Sequence, residues 1–411
     1  VSQRFASAAQ AVLTVDGVDH AGWRALTLTR GVEAAAAKAE LELAERWSGQ
    51  AEPRRIRAGA PFTLALDGET VLKGYLDRIE VRYDATEHLL AASGRDAVAD
   101  LVDCAAVVDG AHEWRGLKLD EIAARLAAPF GVAVERQVEV GAAFPRFALQ
   151  PGETAWEALE RACRQRAVLA IGDGRGRLLL TRAGLGGPAA GPLVLAGPDG
   201  DGNVLAAEAA VDAAELFNPI VVRGQAEGGG GADALYALNP DTGQYELREG
   251  SPGTAAARAE ARAEGKGRYR PRVIIAENAG AGAQLAERAA WEARVAAGRS
   301  ERVRYTVPGW RGASGALWQP NTRVEVRDAW VGLERELLIA GVAFELGPQG
   351  SRTVLDCAPA DAFVLLPEPP KRGAGDGGPT GLFVIEQGGR RRRIGSEAEV
   401  LGGALGGSGA P

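Results

Sequence analysis

The residues best equipped for chemistry lie far apart in this 411-residue chain. Pro240-Asp241-Thr242-Gly243 holds an Asp-Thr-Gly triplet, which supplies one carboxylate of an aspartic-protease dyad. That mechanism needs two carboxyls sharing a proton, and no second copy occurs. Glu153 and Glu157 lie near Trp156 and could form an acid–base pair of the glycosidase kind. Thr154 and Glu157 already fit a helix capping box, which accounts for the second carboxyl. Gly172-Asp173-Gly174-Arg175-Gly176 has the glycine content of a phosphate loop, but it falls between two strand patterns with no helix N-terminus to meet an anion. A hairpin turn is the expected structure there.

Other reaction types find less support. There is no Gly-x-Ser-x-Gly elbow, and His20, His88 and His112 are isolated. Cys104, Cys163 and Cys357 are odd in number, far apart and without Cys-x-x-Cys spacing, so neither a zinc knuckle nor a disulfide framework is expected. The expectation is no catalytic residue, no metal and no cofactor. Two clusters remain as candidate contact sites. Arg95, Asp96, Asp100 and Asp103 crowd a Ser-Gly-Arg-Asp turn that feeds a short amphipathic segment with Val98, Leu101 and Val102 on one side. Leu382, Phe383, Val384 and Ile385 form a short apolar strand, followed by Arg390, Arg391, Arg392 and Arg393. An apolar strand on a linker suits β-augmentation onto a partner, and the basic run suits an acidic contact.

The elements that must carry these residues are mostly strands. In the first 93 residues, Ala11–Val15, Trp23–Arg30 and Ala39–Glu45 alternate. Phe62–Leu66, Asp67-Gly68 and Thr70–Tyr75 read as a type I′ hairpin. Its second strand runs on, with Tyr75, Ile79, Val81 and Tyr83 expected on one face and Arg78, Glu80 and Arg82 on the other. Residues 94–184 mix two helices, Leu119–Ala128 and the one capped by Thr154, with a hairpin over Val168–Thr181. Gly184–Gly202 looks like an irregular connector, and a loop excursion is expected near 226–270. A helix over Ala283–Ala297 and strands at Arg302–Val307, Arg323–Arg327, Glu336–Leu346 and Arg352–Cys357 complete a second β module over 185–365. Beyond residue 366, Pro and Gly dominate a flexible extension to 411.

The bulk numbers narrow the class further. Net charge is −7 with 46% hydrophobic and 25% charged residues, the balance of a globular chain rather than a dedicated nucleic-acid binder. No run of about 18 apolar residues suggests a membrane span. Val1-Ser2-Gln3-Arg4-Phe5 lacks the apolar core of a secretory signal, so a cytosolic product is expected.

Several stretches together resemble the baseplate hub proteins of Mu-like contractile-tailed phages, the tail hub or late control protein D-like family. They are Leu13-Thr14-Val15-Asp16-Gly17 with Gly22-Trp23, Asp67-Gly68-Glu69, Gly74-Tyr75-Leu76-Asp77, and Ser93 through Cys104. Pro129-Phe130-Gly131-Val132, Leu149 through Ala155, Val221-Val222-Arg223-Gly224-Gln225, Gly309-Trp310-Arg311, Leu317-Trp318-Gln319-Pro320-Asn321 and Glu336-Leu337-Leu338-Ile339 continue the likeness. It spans about residues 5–365 in consistent order.

The resemblance implies a mainly β chain with an α+β insert, two tube-protein-like β-barrels over 1–93 and 185–365, and the insert over 94–184. It implies a homotrimer whose six barrels form a ring joining a sixfold tail tube to a threefold membrane-puncturing spike. Implied partners are the chain itself, the spike protein, tail tube or tube-initiator proteins, baseplate wedge proteins and the tape-measure protein. DNA would pass only transiently and non-specifically, and no stable membrane insertion is implied. The implied location is the tail baseplate of a virion assembled in the host cytoplasm. Two other readings remain: a hub-associated cell-wall hydrolase, and a hub or spike part of a phage-like secretion system. The second would need a β-helical repeat that the C-terminus lacks.

Overall fold

Alternating apolar residues set the first seven strands. In a computed structural model these are β1 (Ala11–Val15), β2 (Val18–His20), β3 (Ala25–Gly31), β4 (Lys38–Ala44), β5 (Pro61–Leu66), β6 (Glu69–Tyr83) and β7 (His88–Asp96). The structure describes residues 10–44, 56–84, 88–106, 110, 112–196, 202–224, 234–238, 245–249, 257–261, 268–276, 282–366, 382–385 and 391–394. Asp16-Gly17 and Asp67-Gly68 turn with φ of 50°, 77°, 47° and 78°, the two positive angles in succession that a type I′ hairpin requires. Phe62, Leu64 and Leu66 point inward from β5 and are buried.

One face assignment changes. The β6–β7 register slips between Leu76 and Arg78, so Asp77 is an extra residue in the ladder. Such a bulge reverses side-chain parity beyond it. Leu76 is buried and Ile79 packs on the same core, whereas Tyr75 is 41% exposed. Tyr75 therefore does not share a face with Ile79, Val81 and Tyr83, as simple alternation predicts.

The insert contains α1 (Ala99–Asp103), β8 (Glu113–Trp114), α2 (Leu119–Ala127), β9 (Ala133–Arg136), β10 (Phe147–Ala148), α3 (Ala155–Arg164), β11 (Leu169–Gly172) and β12 (Arg177–Thr181). Its core is separate, built on Leu119, Ile122, Leu126, Leu159, Cys163 and Val168 among others. The α3 cap forms as expected: Thr154 Oγ1 accepts from the Glu157 amide at 3.1 Å, and Glu157 accepts from the Thr154 amide at 2.8 Å. The glycine-rich stretch 172–176 is the β11–β12 hairpin turn.

Strands then resume with β13 (Leu193–Val194), β14 (Ala206–Val211), β15 (Ile220–Gly224), β16 (Ala234–Leu238), β17 (Tyr245–Glu249), β18 (Ala257–Ala261) and β19 (Arg272–Ala276). After α4 (Gly282–Arg299) come β20 (Glu301–Pro308), β21 (Arg323–Asp328), β22 (Leu333–Gly347) and β23 (Gly350–Ala358). Two expectations need correction. The connector over 184–202 contributes Ala190 and Leu193 to the core, with β13 pairing parallel to β21. The excursion near 226–270 carries three strands of a five-stranded sheet ordered β17-β16-β18-β15-β19. Val222, Ala259 and Ala261 pack there against Leu285, Ala286 and Ala289 of α4, an apolar face that glycine-rich flanking sequence hides.

The strands expected in two β modules lie in one continuous sheet. A 13-stranded sheet runs β14-β20-β23-β22-β3-β4-β7-β6-β5-β1-β2, with β13 and β21 off that path. The joint is β3 against β22, pairing Leu26 with Leu346, Leu28 with Phe344 and Arg30 with Val342. One apolar core serves both modules, from Leu13 and Leu64 to Trp310, Trp318 and Phe344.

The modules repeat one design. β5, β6 and β7 have 6, 15 and 9 residues, and so do β21, β22 and β23. Each long strand carries one bulge midway against its following neighbour, at Asp77 and at Ala340. In each module the next two strands outward repeat as well: β4 and β3 beside β7, β20 and β14 beside β23. Even a slipped hydrogen bond recurs at 2.8 Å, Arg24 N–H to Glu42 O and Leu205 N–H to Thr306 O.

The chain divides into two compact units, Val1–Glu368 and Pro369–Pro411. In the second, β24 (Leu382–Ile385) pairs antiparallel with β25 (Arg391–Ile394). Among the described residues no helix is long and apolar enough to cross a membrane.

Candidate functional site

The Ser93–Cys104 stretch, where β7 hands the chain to α1, brings charges together in two different ways. Arg95 is an open fork. Its Nε and Nη2 donate to both Asp77 carboxylate oxygens at 2.9 and 3.2 Å, while Nη1 and Nη2 donate to Asp103 at 3.3 and 2.6 Å. The bulge turns Asp77 toward Arg95, and the single turn of α1 places Asp103 on the other side. The two carboxylates raise the Arg95 pKa, and the Arg95 hydrogen bonds lower that of Asp103. Partial burial raises the Asp100 carboxyl, with the Arg95 charge opposing it. The fork is thus Arg95 with Asp77 and Asp103; Asp77 was not among the expected site residues.

Asp96 is the opposite case. It is 1% exposed and accepts from the Ala37 amide at 3.1 Å and the Val98 amide at 3.0 Å. Burial pushes its pKa up to about 7, against those amides and with help from the negative Asp173. Backbone bonds tie the same spot to the insert: Gly172 N–H to Ala35 O at 3.0 Å and Lys73 N–H to Gly174 O at 2.7 Å. The approach is close enough that a Cβ on Gly172 would lie 2.7 Å from Asp96 Oδ2. A Cβ on Gly174, where φ is +76°, would lie 2.5 Å from Val71 O. The Gly-Asp-Gly-Arg-Gly turn is therefore shaped to dock on a sheet edge.

Arg30 and Asn321 complete the joint, and sequence reasoning missed both as site residues. Arg30 is 6% exposed and donates to Asp173 O and Trp318 O, each at 3.4 Å, and to Gln319 Oε1. It thereby joins the first module, the insert and the second module. Burial, then the neighbouring Arg175 charge, pull its pKa down to about 10, so it stays charged at neutral pH. Asn321 sits at φ 64°, accepts from the Gly184 amide at 2.7 Å and donates to Arg182 O at 3.0 Å. Their sequence signal is indirect: the family-like stretch Trp318-Gln319-Pro320-Asn321 holds Asn321 itself and, in Trp318 and Gln319, two acceptors of Arg30.

The groups weighed for catalysis are engaged in structure. Glu153 accepts from Arg161 at 2.9 Å and from the Gln150 amide at 2.9 Å. Cys163 and Cys357 are buried, which pushes Cys163 up to about 12 and raises Cys357 as well. Asp241, Thr242 and Gly243 lie outside the described residues. Among the described residues no group of three or more His, Cys, Asp or Glu could hold a metal ion. In the C-terminal unit, Leu382, Phe383, Val384 and Ile385 pair with Ile394, Arg393, Arg392 and Arg391, so the basic run is itself a strand; Arg390 lies outside the described residues.

A duplicated β unit, with an α+β insert clamped to it by buried polar groups, defines a mainly β protein with an inserted domain. Known proteins give the particular kind. Family models match three stretches in chain order: the N-terminal domain of Mu phage baseplate assembly protein GpP-like proteins over residues 10–96, the second domain of baseplate hub protein gp44-like proteins over 98–182, and the fourth domain of Mu phage baseplate assembly protein GpP over 281–366. The chain is 32% identical over 358 residues to the baseplate hub protein gp44 of Escherichia phage Mu, covering 86% of this chain and 88% of that protein. It is similar to the 43 kDa tail protein of prophage MuSo2 from Shewanella oneidensis, with a TM-score of 0.72 and 30% identity over 87% of this chain and 100% of that one. A tail protein from Neisseria meningitidis MC58 shares the fold, with a TM-score of 0.67, 20% identity and coverage of 87% and 98%. The chain belongs to the Mu-like phage baseplate hub family.

Proposed function

We propose that this protein is a structural, non-catalytic baseplate hub of a contractile phage tail, working as a homotrimer. Three copies of a twofold β design give six similar units around a threefold axis. Such a ring can face a sixfold tail tube on one side and a trimeric spike on the other. The observation that carries this is the duplication itself: 6-, 15- and 9-residue strands in each half, each long strand with one bulge against the strand that follows it. The functional parts are the tube-like modules over 1–93 and 185–365, the insert over 94–184 and the extension over 366–411. Arg95, Asp96, Asp100 and Asp103 hold the first module to the insert. Leu382–Ile385 and Arg390–Arg393 are the candidate contact with an acidic neighbour in the baseplate. Wedge, tube-initiator and tape-measure proteins are the expected neighbours above and around, with DNA passing through the ring after assembly in the host cytoplasm.

Light scattering of the purified chain should give the mass of three copies; a monomer at high concentration would overturn the reading. Its non-catalytic character is tested separately by peptidoglycan release, where the expected result is no product.

A further inference from the structure

The equivalent hairpins of the two modules end in different chemistry. In the first module β5 and β6 turn through Asp67-Gly68, and that tip is held within the chain. Arg311 of the second module lies 3.8 Å from Asp67 and 3.5 Å from Glu69, and Arg175 of the insert lies 2.7 Å from Glu69. In the second module β21 and β22 turn through residues 329–332, and Trp330 at that tip is 91% exposed. The turn beneath it is locked. Buried Asp328 accepts from the Trp330 amide at 3.0 Å, the Val331 amide at 3.2 Å and the Tyr305 hydroxyl at 3.1 Å. Val331 packs on the core while Trp330 is turned out. A large ring on a fixed backbone loses little freedom on docking, which is the property of an interface anchor.

A socket of matching chemistry lies on the first module. A depression of about 300 Å³ on β1, β5 and β6 is lined by Thr14, Asp16, Pro61, Lys73, Tyr75 and Ala97, among others. Pro61 and Tyr75 are cross-strand partners, and Tyr75 is 41% exposed. Resting on the multimeric hub reading above, we propose that Trp330 of one copy seats in this depression on a second copy.

The size and the lining both suit an indole. The space lies at the lower end for small-ligand sites, room for one large side chain. Pro61 and the Tyr75 ring offer apolar and aromatic surface, and the Lys73 ammonium can lie over the indole face. Thr14 gives its hydroxyl proton to Asp19 at 2.6 Å, which leaves lone pairs on its oxygen to accept the indole N–H. A second depression of about 330 Å³, over Thr27, Glu40, Glu42, Arg78 and Glu80, presents carboxylates instead and no ring or proline.

The repeat sets the direction of the contact. β1 lies beside β5 as β13 lies beside β21, and Pro61 and Arg323 open the equivalent strands. The first module's tip rests on Arg311. The adjoining Gly312 sits so close to Ala190 that an added Cβ would lie 2.6 Å from its carbonyl oxygen, next to the Ala189 N–H to Arg323 O bond of 2.8 Å. The matching place in the first module, beside Pro61 and Asp16, is the depression. Within one chain the first tip docks on the second module; between copies the second tip docks on the first module, and the contact repeats head to tail until the ring closes.

Trp330→Ala should leave the urea midpoint of the dilute chain unchanged. It should raise the concentration at which the three-copy species dissociates by about tenfold or more, and Trp330→Phe should keep most of the assembly. In full-length protein carrying Cys104→Ser, Trp330→Cys with Lys73→Cys should be joined by a short bismaleimide into a covalent species of three chains on a denaturing gel. Trp330→Cys with Thr27→Cys, in the charged depression, should stay single. If light scattering shows three copies but Trp330→Ala assembles as well as wild type, or the Lys73 pair does not link, the seat is wrong and the hub reading stands. Linked species beyond three chains would keep the seat and overturn the closed trimer. A chain that stays monomeric and never links would overturn both.

Discussion

The two β modules share a strand plan and differ in how deeply the long strand is buried. The second finds its missing strand in its own chain: β3 closes on β22, and Phe344 disappears into a core shared with Tyr305, Trp310 and Trp318. At the corresponding place in the first module, Val81 remains half exposed. Exposed apolar side chains on a strand are normally a liability, managed by nearby charge. Here Arg78, Glu80 and Arg82 supply charge on one face while Val81 and Tyr83 keep the other apolar.

The matched positions give the strongest test of that contrast. Phe344→Ala removes a fully buried ring at the filled seam and should cost about 3–5 kcal/mol in urea unfolding. Val81→Ala, at the equivalent place, should change the stability of dilute, dissociated chains by no more than about 0.5 kcal/mol. If Val81→Ala costs as much as Phe344→Ala, the two places are equally buried in the folded chain and the comparison fails.

The joint predicts the next effect. Asp96 has a folded pKa near 7 against about 3.8 in the unfolded chain, so the folded state holds its proton more tightly. The stabilisation is fully present below about pH 4 and is lost as pH rises through about 7, after which it is flat. The span is on the order of 2–4 kcal/mol at 1.36 kcal/mol per pKa unit. Asp96→Asn should remove that slope, as read from urea midpoints between pH 4 and 8. An unchanged slope would assign it to other groups and leave Asp96 a carboxylate held by the Ala37 and Val98 amides.

How much of this was legible in the sequence differs with the range of the interaction. The Asp-Gly hairpins and the Thr154–Glu157 cap were readable because their causes lie within four residues. The capping hydroxyl should be worth about 1 kcal/mol, so Thr154→Ala should lower the unfolding midpoint modestly without altering assembly. Arg95, Asp96 and Asp103 were readable as a charged cluster, but whether each charge was solvated or buried was not. That depends on β4 and on the β11–β12 turn, which are distant in sequence. Arg30 looked like an ordinary polar residue of an alternating strand, and only the docking of Asp173 and Gln319 makes it a buried link. The duplication was hidden because the halves share parity rather than residues: Ile79, Val81 and Tyr83 correspond to Val342, Phe344 and Leu346. The strands near 226–270 were missed because their core partner is α4, later in the chain.

The smallest expected effect separates the two charges that adjoin each other in sequence. Arg95 makes a doubly bidentate contact, good geometry for an ion pair, but its partners Asp77 and Asp103 have side chains 41% and 49% exposed. Water screens both, and exposed pairs of this kind are typically worth about 1 kcal/mol or less. Arg95→Ala should therefore lower stability by no more than about that amount and let the Asp103 carboxyl relax upward, which carboxylate NMR titration would follow. Added salt should narrow the stability difference between wild type and variant, because the pair it screens is present only in the former. The fork then sets the direction in which α1 leaves the sheet, while the adjacent buried Asp96 carries the energy of the joint. A loss of several kcal/mol on Arg95→Ala, or a collapse of the multimer, would reverse that assignment and make the surface fork the element that holds the insert in place.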